Sequence, residues 1–391
     1  MNEKSRRYLI NDVHLAFLAM GIFHLMPGTE LPLIRSDYHL TYQTGGIMLS
    51  MQSVGVLIGG MAAGFPAKHF GAKRTYLTFE VIGFSGLILT VLTGMPAFLI
   101  LAMICLGLSK GSSTYFGNQM VNNISDGDAS LQNLIQAMFA AGACAAPLIA
   151  LICGASWKTA YLITAGIVFV SILHTSRVEI GPDVYRAVGE TENHTGTNHA
   201  AFGFLKSRLF WFCTVIMFAY MSVETTVIGW LVTYMIDYGN VTRSFAQMVV
   251  TILWAVLLAG RFLCAAAAKR FAPWQMVAVM SAGITLFFTW MMTGHGTAVL
   301  TMSALGLGFF MSGMYGTIVA GTGTLMKDYP MCMGVMIALP GIGPIVIPSI
   351  IGRIADHSGI HTGMLFLYVI LVMMLAATAG YVMYVKREEK R

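Results

Sequence analysis

Apolar runs of roughly 20 residues, the length that crosses a bilayer core, recur from residue 12 to residue 385, separated by short breaks rich in charge, glycine or proline. Helical spans are expected over 12–34, 44–67, 75–95, 97–121, 130–154 and 157–177, and a second six over 209–236, 245–267, 273–293, 297–324, 331–354 and 363–385. Between the sets lies VEIGPDVYRAVGETENHTGTNHAA, the longest hydrophilic run in the chain. The pattern divides the chain into an N-terminal six-helix bundle (1–177), a cytoplasmic linker (178–206) and a C-terminal six-helix bundle (207–391). The fold class expected is an all-α membrane protein of twelve transmembrane helices.

Composition agrees with the pattern. Of 391 residues, 57% are apolar and only 10% charged, where soluble domains carry about 25% charged residues. The 42 glycines and 29 methionines suit helices that approach closely in lipid. The net charge of +6 does not indicate nucleic acid, because the basic residues punctuate apolar runs and form no stripe on a polar domain. Cys105, Cys144, Cys153, Cys213, Cys264 and Cys332 show no CxxC and no metal spacing, and read as small packing residues. The start, MNEKSRRYLINDVHLAF, turns apolar for longer than the core of a signal peptide and has no small-residue cleavage site. The first span is expected to stay.

Most of the 23 basic residues fall in one set of alternate loops and in the tails. Arg35, Lys158, Arg243 and Arg353 fall on the other side, and Lys110 and Arg261 lie within spans. The positive-inside rule then puts both termini in the cytoplasm, with the bacterial inner membrane as the expected location. Gly59, Lys68 and Phe70, at the inner end of the second span, recur at one constant offset as Gly260, Lys269 and Phe271 at the inner end of the eighth. A parallel repeat of this kind implies two pseudo-symmetric bundles with a site near the midplane.

With these features the sequence resembles the major facilitator superfamily over essentially its whole length. GFPAKHFGAKR (64–74) is similar to that superfamily's loop signature of glycine, acid, base, glycine and a basic pair, with Lys68 where the acid usually stands. FAYMSVETTVIGWLVTYMID (218–237), AGRFLCAAAAKRFAP (259–273) and FFMSGMYGTIVAG (309–321) resemble the branch of fucose, glucose and galactose proton symporters. The resemblance implies alternating access by rocking of two bundles about a central polar site. It also implies sugar-contacting roles for Gln136, Arg261 and Tyr315. It does not supply the branch's proton carriers: the first helix has HLMPGTELP, with Gly28 where the acid would fall, and the fourth, GLSKGSSTYFGNQ, has no acid.

Ionisable groups inside the membrane carry the remaining signal, since a charge at a helix centre costs roughly 2.5–3.5 kcal/mol on insertion scales. His24, Lys110 and Glu224 fall near the centres of spans one, four and seven. Lys110 reads either as a cationic anchor for a carboxylate, sulfonate or phosphate, or as a structural lysine that pairs with Glu224 or snorkels to water. Glu224 is a counter-charge, a hydrogen-bond acceptor for solute hydroxyls or a carrier of the coupling proton. Lys110 and Glu224 are expected to pair across the halves, with solute or proton loosening the pair. His24 suits a proton relay or a sugar contact, or is packed in a cavity wall. Pro27-Gly28 should kink or break the first helix.

Glu30 is a third coupling candidate, with a solvated outer-end position as its alternative. Arg261 offers paired hydrogen bonds to solute oxygens, and Glu80 reads as structural, turned towards the inner-loop charges. Tyr115, Asn118, Asn122, Gln52, Tyr220 and Trp230 add the aromatic faces and amides that a sugar needs, although Trp230 also suits an interfacial anchor. Lys68, Lys73, Arg74, Lys269 and Arg270, with Asp126 and Asp128, are expected to close an inner gate.

The reading is a secondary transporter of a small polar solute, a sugar, sugar acid or other organic anion, coupled to a proton or else to sodium. It works as a monomer in the lipid bilayer, without cofactor or metal. The competing reading is an exporter of amphiphilic or drug-like compounds, favoured by the methionine-rich composition. There is no HExxH, no paired membrane aspartates and no serine–histidine arrangement to support an enzyme, and no signalling domain to support a sensor.

Overall fold

The computed structural model describes residues 3–124, 129–178, 203–322, 329 and 331–389. The chain forms two compact units, Met1–Asn193 and His194–Arg391.

Unit 1 contains α1 (Glu3–Asp37), α2 (Tyr42–Ala62), α3 (Gly64–Phe70), α4 (Ala72–Leu92), α5 (Pro96–Ile124), α6 (Ala129–Cys153) and α7 (Trp157–Arg177). The second apolar run thus ends at Ala62, and the stretch expected to continue it to residue 67 forms the separate short helix α3. The helix α1 is continuous through Pro27 and Pro32, so the expected break at Pro27-Gly28 is absent. Each proline still withholds an amide, which frees the carbonyl four residues earlier, at Phe23 and at Gly28.

Helix pairs in unit 1 are set by glycine. A Cβ on Gly107 of α5 would fall 2.1 Å from the carbonyl oxygen of Gln52 on α2, and a Cβ on Gly142 of α6 would fall 2.1 Å from the carbonyl oxygen of Leu18 on α1. The missing side chains let backbones touch, which is how helices associate where apolar burial gives no advantage over lipid.

Unit 2 opens with a single 3-10 turn (Gly203–Lys206) and continues with α8 (Arg208–Asp237), α9 (Arg243–Ala267), α10 (Pro273–Thr293), α11 (Thr297–Met311), α12 (Met314–Gly321), α13 (Met331–Ala338), α14 (Ile342–Leu365) and α15 (Leu367–Glu388). Two expected spans are broken. The tenth divides at Ser312-Gly313 into α11 and α12, and the eleventh divides around Pro340 into α13 and α14. Eleven helices among the described residues are long and apolar enough to cross a membrane, but the last, Ile342–Glu388, has 47 residues. At 1.5 Å per residue it is about 70 Å long, more than two bilayer cores, and Gly359 interrupts it with a φ of 80°. Twelve crossings result.

The repeated glycines do the same work in each unit. Gly59 of α2 faces the backbone of Leu108 on α5, and Gly260 of α9 faces Ser312, which ends α11. In both, the second long helix of the unit approaches the fourth at glycine.

Candidate functional site

Four helices of unit 1 bring a polar cluster together. The Gly21/Gly142 contact holds α6 against α1 and sets the Phe139 ring 6.0 Å from the His24 ring. The Gly107 contact holds α5 against α2. From α5, Lys110 Nζ reaches His24 Nε2 at 2.7 Å and lies 5.4 Å from the centre of the Phe139 ring, within cation–π range. From α2, the buried Gln52 donates its Nε2 amide to the His24 carbonyl at 3.2 Å, next to the Phe23 carbonyl that Pro27 frees.

An ammonium only donates, so the imidazole nitrogen that faces Lys110 is the unprotonated acceptor. The proton of the neutral ring then sits on Nδ1, which is enclosed and has no hydrogen-bond partner among the described residues. The arrangement offers a cation, a spare N–H donor, an amide and an aromatic face within one bundle. Phe139 was not singled out from sequence. Its signal was its position one turn from Gln136 in LIQAMFAAGA; Gln136 is half-buried on the same helix.

Other unit 1 candidates stand elsewhere. Tyr115 places its hydroxyl against Gly64, where a Cβ would come within 2.9 Å, at the junction of α2 and α3. Asn118 is half-buried on α5, eight residues and roughly 12 Å of helix rise beyond Lys110. The side chain of Asn122, and Asp126 and Asp128, lie outside the described residues. Glu30 is fully buried within electrostatic reach of Tyr161, so the solvated alternative for it is corrected. Glu80, 3% exposed, is hydrogen-bonded to Ser109 and Ser113 of α5 and does not turn towards the loop charges as expected.

Unit 2 gathers a second cluster. Tyr220 and Glu224, one turn apart on α8, share a hydrogen bond, and Arg261 of α9 and Tyr315 of α12 lie within electrostatic reach of the Tyr220 hydroxyl. The break at Ser312-Gly313 starts α12 just before Tyr315. A Cβ on Gly313 would fall 2.3 Å from Cys264 Sγ, one turn from Arg261. Trp230 is fully enclosed and so is no interfacial anchor.

Among the loop bases, Lys68, Arg74, Lys269 and Arg270 are exposed. Lys73 donates to the carbonyl of Ser176 at 2.7 Å, capping the C-terminal turn of α7. No group of three or more metal-ligating side chains occurs among the described residues.

This architecture can be set beside known proteins. A family model described as the Major Facilitator Superfamily matches residues 13–331. The chain belongs to the Major Facilitator Superfamily. It is accordingly an integral multi-pass membrane protein of a transporter superfamily and not an enzyme.

Within the Major Facilitator Superfamily, the chain is similar to a glucose/galactose transporter of Brucella abortus, 28% identical over 159 residues, covering 38% of this chain and 36% of that one. It is also similar to a protein described as a TsgA homolog of Erwinia tasmaniensis, 25% identical over 146 residues and 37% of each chain. The matches thus span little more than a third of these curated relatives. Among solved structures, the nucleoside transporter NupG superposes with a TM-score of 0.78 at 13% identity, over 99% of this chain and 100% of that one. A D-xylose-proton symporter superposes with a TM-score of 0.76 at 13% identity, over 95% and 96%. These likenesses fix the fold as that of the Major Facilitator Superfamily.

Proposed function

We propose that the chain is a secondary transporter that carries a small polar solute, a sugar or sugar acid, across the membrane by alternating access with a proton as the coupling ion. Both termini face the cytoplasm of a bacterial cell in this reading, and the units correspond to bundles 1–177 and 207–391 joined by the 178–206 linker. The observation that carries it is the contact of Lys110 with His24 at 2.7 Å beside Phe139 and Gln52. The flat C–H face of a pyranose suits an aromatic ring, its hydroxyls suit the amide and the imidazole, and a carboxylate on it suits the ammonium. In unit 2, Tyr220, Glu224, Arg261 and Tyr315 supply further donors and acceptors. The relative named a glucose/galactose transporter and the fold shared with a D-xylose-proton symporter support this solute class and coupling ion.

Thermal unfolding of the purified protein tests it, because a bound ligand raises apparent stability by mass action. The panel holds D-glucose, D-galactose and D-xylose, their uronic acids, other organic anions and lipophilic cations, against wild type and Lys110→Ala. Stabilisation of wild type by an acid sugar, lost in Lys110→Ala, is the expected result. Equal stabilisation of both proteins by neutral sugars removes the anionic group and leaves Lys110 with a structural role. A response confined to lipophilic cations overturns the reading in favour of an exporter.

A further inference from the structure

A second buried polar cluster lies in unit 1, away from the His24 ring. Asp12 of α1 is fully buried. Its Oδ1 accepts from His174 Nδ1 and from Thr175 Oγ1, both of α7 and both at 2.8 Å. Its Oδ2 is enclosed with no hydrogen-bond partner among the described residues. Lys73 of α4 and Glu80 of the same helix are both within electrostatic reach of it. Among the described residues, α5 brings two hydroxyls to the cluster: Ser109 Oγ at 3.1 Å from Glu80 Oε1, and Ser113 Oγ on the same oxygen.

The hydroxyl protons decide the charge of Glu80. Ser113 has one proton to give, yet its Oγ stands at hydrogen-bond distance from two acceptors, the Ser109 carbonyl at 2.7 Å and Glu80 Oε1. One proton cannot make two full hydrogen bonds, and both contacts are satisfied when the Glu80 carboxyl carries a proton and donates it to Ser113. No cation among the described residues pairs with Glu80, whereas Asp12 has His174, Thr175 and the field of Lys73. Two carboxylates in a low-dielectric interior do not both ionise, so the better-supported Asp12 is the anion and Glu80 the acid.

We propose that Glu80 is a proton-binding site of unit 1, separate from the His24–Lys110 cluster, and that it exchanges its proton through Asp12 with the end of the unit that bears His174 and Lys73. In the exchange Glu80 loses its O–H proton and becomes the anion, and Asp12 gains that proton on the enclosed Oδ2 and becomes neutral, so the net charge of the cluster is unchanged. The proton then leaves Asp12 Oδ2 to water at the end of the unit where the His174 side chain is 35% exposed, while the Nδ1–H of His174 stays on Oδ1. The site holds a proton whether or not the chain transports sugars. Its link to the solute cluster is α5, on which Ser109 directly precedes Lys110.

Infrared difference spectra of the full-length protein in lipid vesicles, recorded across pH in H2O and D2O, test the site without any solute. Wild type is expected to show a carbonyl-stretch band of a protonated carboxyl that shifts in D2O and titrates. Glu80→Gln is expected to abolish it, and Asp12→Asn to keep it with a moved midpoint. A wild-type spectrum without such a band, or a band unchanged in Glu80→Gln, overturns the proposal. Should Glu80→Gln not fold, Ser113→Ala serves: losing the hydroxyl contact must move the band's frequency, and an unmoved band is equally fatal.

Discussion

Gly55 of α2 and Gly107 of α5 face each other so closely that a Cβ on Gly107 would stand 2.7 Å from the Gly55 Cα. That contact sets the spacing of the two helices that present Gln52 and Lys110 to His24, so packing and the site have one cause. Backbone cannot yield as a flexible side chain does. Gly107→Ala is therefore expected to push α5 off α2 and to cost about 1–3 kcal/mol, the usual range for overpacking. Gly166→Ala is the control: Gly166 is exposed on α7 with nothing within 4 Å of the added methyl. It should gain up to about 1 kcal/mol from helix propensity. Thermal unfolding midpoints of both variants in one detergent decide the matter, and equal shifts would refute the packing argument.

The Tyr38 hydroxyl lies 3.0 Å from the carbonyl of Val91 and 3.2 Å from that of Thr90. These are among the last carbonyls of α4, which have no acceptor role left inside the helix. Burial pushes the Tyr38 phenol up from its ordinary value, so the hydroxyl keeps its proton and remains a donor at neutral pH. Tyr38→Phe keeps the ring and loses the donor, and should cost about 0.5–1.5 kcal/mol. Hydrogen exchange at the amides following α4 should quicken in step with the lower unfolding midpoint; an unchanged midpoint would show that water replaces the hydroxyl.

The spans were legible because the bilayer imposes length and apolarity together, and the breaks within spans ten and eleven were not, because hydropathy runs straight through Ser312-Gly313 and Pro340. The continuity of α1 has the converse cause. A proline inside a packed membrane helix removes one hydrogen bond without ending the helix. Lys110 and His24 stood out as ionisable groups in apolar runs. Phe139 did not, as one of 23 phenylalanines. Asp12 carries no such signal in sequence, because it sits at the edge of its apolar run beside the basic N-terminal segment. Its burial, like the two serines on Glu80, depends on contacts between distant helices that no local pattern records.

Lys73 spans from α4 to the C-terminus of α7, where its ammonium meets the Ser176 carbonyl at 2.7 Å. A cation on unsatisfied terminal carbonyls is worth about 0.3–1 kcal/mol at an exposed helix end. Lys73→Met should therefore leave global unfolding nearly unchanged while amides around Thr175–Val178 exchange about 2- to 5-fold faster, the same energy expressed as a rate. Exchange unaltered in that turn would mean that Lys73 contributes nothing there.

The charge on Lys110 is open to direct measurement through its neighbour. With Nε2 accepting from the ammonium at 2.7 Å, the neutral His24 ring must carry its proton on Nδ1. Nitrogen-15 spectra of histidine-labelled protein at neutral pH should show that tautomer for His24, assigned by its loss in His24→Gln. In Lys110→Met the acceptor loses its donor, nothing holds the tautomer, and an Nε2–H signal should appear. An Nε2–H signal already present in wild type would mean that the imidazole donates to an uncharged amine. Lys110 would then have no positive charge to offer a carboxylate, and the acid-sugar form of the proposed function would fall while the neutral-sugar form survived.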